Sequence, residues 1–168
     1  MPEKKDTNKV GKAATSQVAE VAGKVELKDI RVISFAAEQS PELLGSRMDV
    51  RQEIDTETIG HAEAGEIRVK ARLGADAVPL DQEPADVAVR ITVTFELTYR
   101  CEAVGGLSDE ALEAFGKING VYNAWPYWRE FVHSTTVRMG LPPLIIPVFR
   151  LSDHISAQND QEPGNSVD

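Results

Sequence analysis

The chain has 168 residues, enough to bury the core of one domain, and its 42% hydrophobic and 27% charged residues are typical of a globular protein. With 18 Lys and Arg against 27 Asp and Glu, the formal net charge is −9, which disfavours nucleic acids and anionic membrane surfaces as partners. A single cysteine, Cys101, excludes an internal disulfide. The sequence shows neither a signal peptide nor an uncharged run long enough to cross a bilayer. We therefore expect a cytoplasmic protein without direct membrane insertion.

The two ends of the chain differ in pattern from its middle. Residues 1–24 are expected to be an N-terminal extension, partly helical or disordered, because apolar residues recur at helical spacing only from Val10 onwards. Residues 152–168 carry four acids and no Lys or Arg, which is typical of a disordered acidic tail. The folded domain is therefore expected over residues 25–151.

The first predicted strand covers residues 25–35 and contains a change of phase. Val25 and Leu27 point to one face of an extended chain, whereas Ile30 and Val32 point to the other. A strand with this pattern either contains a β-bulge or is buried on both faces.

Two further strands are predicted from period-two alternation. Residues 48–55 place Met48, Val50 and Ile54 on one side, and residues 66–74 alternate apolar with mostly basic side chains.

The strongest alternation lies in residues 86–102. Every odd position from Val87 to Cys101 is apolar, and the positions between them are mostly polar or charged. Because no turn residue interrupts this run after its first residue and only one face is apolar, it predicts one long strand in an antiparallel sheet that is covered on one side.

Helical patterns follow the strands and supply the covering layer. Ser108 is a suitable N-cap, with acids in the first turn of a helix predicted over residues 108–118. A second helix is predicted from Pro126 at the N1 position to Gly140 at C′, where two prolines then forbid its continuation. The predicted fold class is α+β, a four-stranded antiparallel sheet covered on one side by helices.

Three short blocks, in this order along the chain, resemble the SecB export chaperones over roughly residues 25–151. Ile33–Phe35, ISF, is similar to a triplet on the family's first strand. Trp125–Glu130, WPYWRE, resembles the family's block of aromatic or apolar residue, proline, tyrosine, any residue, arginine and glutamate, which opens its long helix. GLPPLIIP at 140–147 is similar to the family's glycine-x-x-proline-x-leucine exit.

The resemblance implies an ATP-independent holdase rather than an enzyme, without a cofactor. It implies a homotetramer, a dimer of dimers, that keeps unfolded precursor polypeptides competent for export by the Sec translocase and passes them to the SecA motor. With ISF as the anchor, the family's SecA-contacting acids fall at Val32 and Ala36, and neither residue is acidic. The family also includes SecB-like chaperones that guard the antitoxin of a toxin–antitoxin pair, and the N-terminal extension is similar to that branch. The alternative is therefore a dedicated chaperone of an antitoxin or other single partner, without SecA delivery.

A holdase binds chains of unrelated sequence, so we expect its site to be exposed apolar area rather than a set of directional contacts. Candidates for a client-binding groove are Phe95, Tyr99, Trp125, Tyr127, Trp128, Leu141, Leu144 and Ile146. Candidates for subunit contacts are Trp128, Phe131, Val132, Thr135 and Met139. Packing between helix and sheet inside one subunit is the alternative role for these side chains.

A third class, an enzyme or small-ligand protein with a cavity between sheet and helices, finds no support in the side chains. His61, His133 and His154 share no close spacing, so no metal site is predicted. The glycines at 105–106 lack the lysine and the spacing of a phosphate-binding loop.

Overall fold

A computed structural model describes residues 18–150, apart from residues 20, 45–46 and 81–85. In this part of the chain four strands form one antiparallel sheet with the order β1-β4-β3-β2, and helices follow them. The strands are β1 (Glu26–Gln39), β2 (Met48–His61), β3 (Glu66–Pro79) and β4 (Val89–Arg100). The helices are α1 (Asp109–Phe115), a π-helical turn (Gly116–Gly120) and α2 (Val121–Arg138), with short 3₁₀ turns at Pro41–Leu43, Ala62–Ala64 and Val104–Gly106. The predicted α+β arrangement is confirmed.

Most of the predicted N-terminal extension and the whole of the predicted acidic tail lie outside the described residues. Residues 1–17 and the predicted tail at 152–168 are not among the described residues. Within the predicted N-terminal helix, residues 18–19 and 21–22 are helical, and Val18 and Val21 are buried. The described chain therefore begins with a short apolar anchor ahead of β1.

β1 contains two β-bulges. Its register with β4 shifts between Leu27 and Asp29 and again between Val32 and Ser34. The first shift is the predicted change of phase, and it places Leu27 and Ile30 on the same face of the sheet. The second shift returns Phe35 to that face, which is the one the helices cover. The bulge reading of this strand is confirmed.

β4 runs through the centre of the core. Its inner residues are all buried, and these are Val89, Ile91, Val93, Phe95, Leu97 and Tyr99. The predicted single strand with one apolar face is confirmed, although it is shorter than residues 86–102. Each flank of β4 adds one backbone hydrogen bond, since Ala88 N donates to Ala77 O of β3 at 2.9 Å and Cys101 N donates to Gly65 O, just before β3, at 2.8 Å.

The register of β2 with β3 confirms the predicted inner side of β2. Met48, Val50 and Ile54 lie opposite Pro79, Ala77 and Leu73, respectively. All three of the first strands run further than alternation predicted, because backbone pairing with a neighbouring strand does not require an apolar side chain.

A nearly continuous helix covers the sheet. Ser108 Oγ accepts a hydrogen bond from Ala111 N at 3.2 Å, so the predicted N-cap is confirmed. The start predicted at Pro126 is wrong, because α1 passes through the π-helical turn directly into α2 and Pro126 lies inside α2. Burial of Val121 and Trp125 against the core outweighs the one backbone donor that proline withholds.

Two glycines of the π-helical turn let this helix approach β2 and β3 closely. A Cβ on Gly116 would overlap Thr58 Oγ1, and a Cβ on Gly120 would lie 2.6 Å from Val69 Cγ1. Thr58 Oγ1 is itself buried and has no hydrogen-bond partner within the described ranges. The β2–β3 half of the inner face is therefore sealed by backbone as well as by side chains.

α2 ends as the sequence predicted. Gly140 has φ 76°, its N–H donates to Val137 O at 3.0 Å, and Leu141 N donates to Thr136 O at 3.0 Å. This pair of bonds is a Schellman motif, so the prediction of Gly140 at C′ is confirmed. Residues 142–150 follow and form no regular secondary structure.

Candidate functional site

The inner face of the sheet is covered unevenly, because α2 lies above β4 and touches β1 mainly through its C-terminal half. Asn123 Nδ2 donates to Tyr99 Oη at 3.0 Å, and the ring centroids of Phe95 and Tyr127 are 6.5 Å apart. These contacts hold α2 over β4, so the strand beyond it extends past the cover.

Most of the side chains that β1 contributes to the inner face are consequently open to solvent, although Ile30 is partly buried against the core. Leu27, Val32 and Phe35 are 39%, 44% and 67% exposed, whereas their partners on β4 are buried. The Phe35 ring meets the half-buried Phe131 of α2 edge-on, with centroids 5.6 Å apart at 68°. We call the surface formed here the β1–α2 apolar surface; its residues are Leu27, Val32, Phe35, Phe95, Tyr127 and Phe131.

The backbone edge of β1 adds a second open feature to this surface. β1 is an outer strand of the sheet, so one row of its N–H and C=O groups has no ladder partner in the described chain. Residues 32–37, VISFAA, carry no charge along this edge. An uncharged edge strand is a template for pairing with another extended chain.

The outer face of the sheet is polar, and ion pairs join charged side chains of neighbouring strands across it. Arg31 donates to Glu96 Oε1 at 2.5 Å, and Arg90 donates to Asp76 Oδ2 at 2.7 Å. The Arg31 guanidinium, through its hydrogen bond and its charge, lowers the pKa of the Glu96 carboxyl, although burial opposes this. The exposed apolar side chains of the sheet therefore lie mainly on its helix side.

The structure separates the sequence-predicted groove residues into buried and accessible ones. Phe95, Tyr99, Trp125, Trp128 and Ile146 are buried, Tyr127 is 49% exposed, and Leu141 and Leu144 are half-buried. Tyr99 has a structural role, since its ring packs edge-on against Phe115 and burial raises the pKa of its hydroxyl to about 12. Phe95 lies beneath Tyr127 at the floor of the β1–α2 apolar surface.

The predicted subunit contacts divide in the same way. Trp128 and Val132 are buried in the core of the single chain, whereas Phe131, Thr135 and Met139 are half-buried. Contacts of Trp128 or Val132 with another chain would require α2 to lift from the sheet. The role of all five residues in assembly stays a prediction.

The apolar residues after α2 lie on its other flank and pack back onto it. Trp125 Nε1 donates to Pro147 O, and Arg129 Nε to Ile146 O, both at 2.8 Å. The Phe149 ring then stacks near Trp125, with centroids 5.2 Å apart. The predicted groove residue Ile146 is thus held on the Trp125–Arg129 flank of α2 rather than beside Tyr127 and Phe131.

The sequence pattern alone does not single out the β1 row, although Ile33–Phe35 carries part of the family resemblance. The sequence signal for this row is the change of phase in β1. Leu27, Val32 and Phe35 share one face of the sheet only when the strand contains both bulges. Val32 and Ala36, where the resemblance puts SecA-contacting acids, are both exposed, and they lie on opposite faces of the sheet.

Two further kinds of feature, a metal-binding cluster and a membrane-spanning helix, are not found among the described residues. No group of three or more His, Cys, Asp or Glu side chains in residues 18–150, gaps aside, is arranged to hold a metal ion. No helix in the same ranges is long and apolar enough to cross a membrane.

Comparison with known proteins shows a SecB-like fold. The chain is similar to the Mycobacterium tuberculosis Rv1957 SecB-like chaperone, solved in complex with a ChAD peptide from the Rv1956 HigA1 antitoxin, with a TM-score of 0.64 and 20% identity over 80% of this chain and 97% of that one. A Streptococcus agalactiae protein of unknown function also matches, at 13% identity over 73% of this chain and 96% of the other, but its TM-score of 0.39 does not establish a shared fold. No protein-family model and no curated protein sequence matches the chain.

Proposed function

We propose that this chain is a molecular chaperone of the SecB-like type that holds unfolded polypeptides on the β1–α2 apolar surface without ATP. The observation that carries the proposal is the exposed row Leu27, Val32 and Phe35 in a chain of net charge −9. A strongly charged protein that leaves three large apolar side chains exposed along one face of a strand keeps an interaction site open.

The chemistry of this surface suits clients of unrelated sequence. Apolar contact contributes about 25 cal/mol per Å², so a surface on the order of 500 Å² gives roughly 12 kcal/mol before losses. Ordering an unfolded client offsets much of this gain, which leaves one surface only moderately adhesive. Several surfaces in one assembly then hold a long client by avidity.

The assembly that we propose is a homotetramer, a dimer of dimers. Pairing two copies along their uncharged β1 edges would continue the four-stranded sheet to eight strands and bring two apolar rows together between two α2 helices. The half-buried Phe131, Thr135 and Met139 are the interface residues that remain accessible for contacts between copies. The ion-paired outer face and the net negative charge would keep this assembly dispersed.

A denatured exported precursor, diluted into buffer with the purified protein, tests the proposal by light scattering. We expect suppression of aggregation at one tetramer per client. Phe35→Ser should weaken client affinity about 5–30-fold, since it removes most of an exposed aromatic side chain worth about 1–2 kcal/mol.

Ile59→Ser is the matched control, because Ile59 is also a half-exposed apolar residue but lies on β2. Wild-type protein that leaves aggregation unchanged would reject the holdase. If Phe35→Ser and Ile59→Ser reduced client affinity equally, the binding surface would not be the β1–α2 apolar surface.

A second candidate is a dedicated chaperone of one antitoxin or other single partner, without delivery to SecA. Two observations favour it: Rv1957 was solved with an antitoxin peptide, and the residues at the expected SecA-contacting positions, Val32 and Ala36, are not acidic. A surface without acids at these positions lacks the charge to attract a basic partner there.

Calorimetry with purified SecA separates the two candidates. The translocase role predicts saturable binding, whereas the dedicated chaperone predicts none. Val32→Asp combined with Ala36→Glu restores acids at these two positions and should produce SecA binding. If the wild-type protein already binds SecA, the second candidate is rejected.

A further inference from the structure

The chain enters the folded domain at one end of the β1–α2 apolar surface. The helical residues 18–19 and 21–22 lie just ahead of β1, and Leu27, the first exposed member of the row, is the second residue of that strand. Val21 belongs to the same buried cluster as Phe95 and Trp128. Residues 1–17 are therefore tethered within reach of the row by a buried anchor.

The sequence of residues 1–17 has the two properties that this surface would select in a client. Val10, Ala13 and Ala14 continue the helical spacing of Val18 and Val21 and so extend one apolar stripe upstream. Four lysines stand against two acids in these residues, whereas the other 151 residues hold 14 Lys and Arg against 25 Asp and Glu. A basic, amphipathic segment is thus attached to an acidic body that exposes apolar side chains.

We infer that residues 1–17 are a tethered occupant of the β1–α2 apolar surface, covering Leu27, Val32 and Phe35 until a client displaces them. This inference rests on the proposed function and adds its regulation. A basic occupant gains from the charge of the body, and a short tether makes its binding intramolecular.

The other end of the chain is a poorer occupant. The described chain ends at Arg150, next to Phe149 and Trp125, on the flank of α2 that faces away from β1. Residues 151–168 carry four acids and no Lys or Arg, so the acidic body repels them. Charge and position both favour the N-terminal segment.

The expected size of the effect follows from effective concentration. A short tether gives a local concentration on the order of millimolar. If the free segment binds with a dissociation constant of about 1 mM, the tether weakens client binding by roughly 2–10-fold. A tethered segment of this affinity competes successfully with weakly binding ligands, and a tightly binding unfolded chain still displaces it.

Two full-length variants of equal charge test the inference by fluorescence anisotropy with a labelled unfolded precursor fragment. Val10→Asp with Ala14→Asp breaks the apolar stripe, and we expect client affinity to rise about 2–10-fold. Thr15→Asp with Ser16→Asp makes the same charge change on the other side of the helical pattern, and it should stay within about twofold of wild type. Equal affinity in all three proteins would overturn the inference, whereas no binding by any of them would reject the proposed function instead.

A spin label gives a readout that does not depend on a client. Lys12→Cys can be labelled selectively, because the native Cys101 is buried. We expect the label to broaden the methyl signals of Leu27 and Val32 and the stripe-breaking pair of substitutions to restore them. Unbroadened methyl signals in the otherwise wild-type chain would contradict the inference.

Discussion

The two edges of the sheet, β2 and β1, have the same length and opposite surroundings. β2 lies beneath α1 and the π-helical turn, where Gly116 and Gly120 permit close approach, and its outer side chains include Asp49, Arg51, Glu53, Asp55 and Glu57. β1 leaves its inner row open and has an uncharged stretch at residues 32–37. Charge along β2 discourages edge pairing, while β1 has no such protection there.

The contrast teaches that one sheet can be sealed by close packing at one edge and left open at the other. Substitutions near β2 disturb close packing and should change the free energy of unfolding. Substitutions on β1 should change assembly and client binding with little cost to the fold, because their side chains are already half in water.

The largest expected effect is on the sealed side, from Gly120→Ala. The new Cβ would lie 2.6 Å from Cγ1 of Val69, a buried β-branched residue that has few other rotamers. We expect a loss of about 1–3 kcal/mol in the free energy of unfolding, measured by urea denaturation.

Gly106→Ala is the control for this change, because nothing lies within 4 Å of its new Cβ. It should change stability by about 0.5 kcal/mol or less. If Gly120→Ala were as stable as this control, the close approach of helix and sheet would be absent in solution.

An intermediate effect is expected on the open edge, from Ile33→Lys combined with Ala36→Lys. Two lysines in the uncharged stretch bring like charges together when two β1 edges pair, so we expect association to weaken at least about tenfold, or about 1.4 kcal/mol. Sedimentation velocity would show a shift towards smaller species.

Gln52→Lys with Ile59→Lys adds the same charge to β2 and should leave the mass unchanged. If the β2 double variant formed smaller assemblies and the β1 double variant kept its mass, the association edge would be β2 and not β1.

The smallest expected effect is from Arg31→Gln, which removes an exposed ion pair between β1 and β4. Because Arg31 lowers the pKa of Glu96, the pair contributes stability above the usual value of 4.5 and loses it as pH falls through the lowered pKa. We expect a change in Tm of about 1–2 °C or less at pH 7, vanishing at acidic pH, in thermal melts recorded by circular dichroism. A larger loss at neutral pH would mean that this pair, and not the backbone ladder, holds β1 in the sheet.

The sequence predicted elements well where one local signal decided them. Ser108, Gly140 and the phase change in β1 were each readable from a few neighbouring residues, since a cap, a left-handed glycine and a bulge depend on local geometry. The start of α2 could not be predicted in this way. Pro126 has the local features of an N1 proline, and only the burial of Val121 and Trp125 shows that the helix begins before it.

The candidate site shows the same division. Aromatic residues such as Trp125 and Trp128 stood out by type, yet the structure buries them, and the open surface centres on Phe35. Exposure depends on which strand the helix covers, and residue type carries no information about that choice.

By itself, the sequence determined the α+β class, the single apolar face of β4 and the acidic, charged character of the chain, because alternation, capping and charge are properties of short segments. Only the tertiary structure decided that α2 lies over β4, that glycines seal the β2 side and that the inner row of β1 stays open. Those features depend on contacts between residues far apart along the chain, where the packing of one side chain decides the exposure of another.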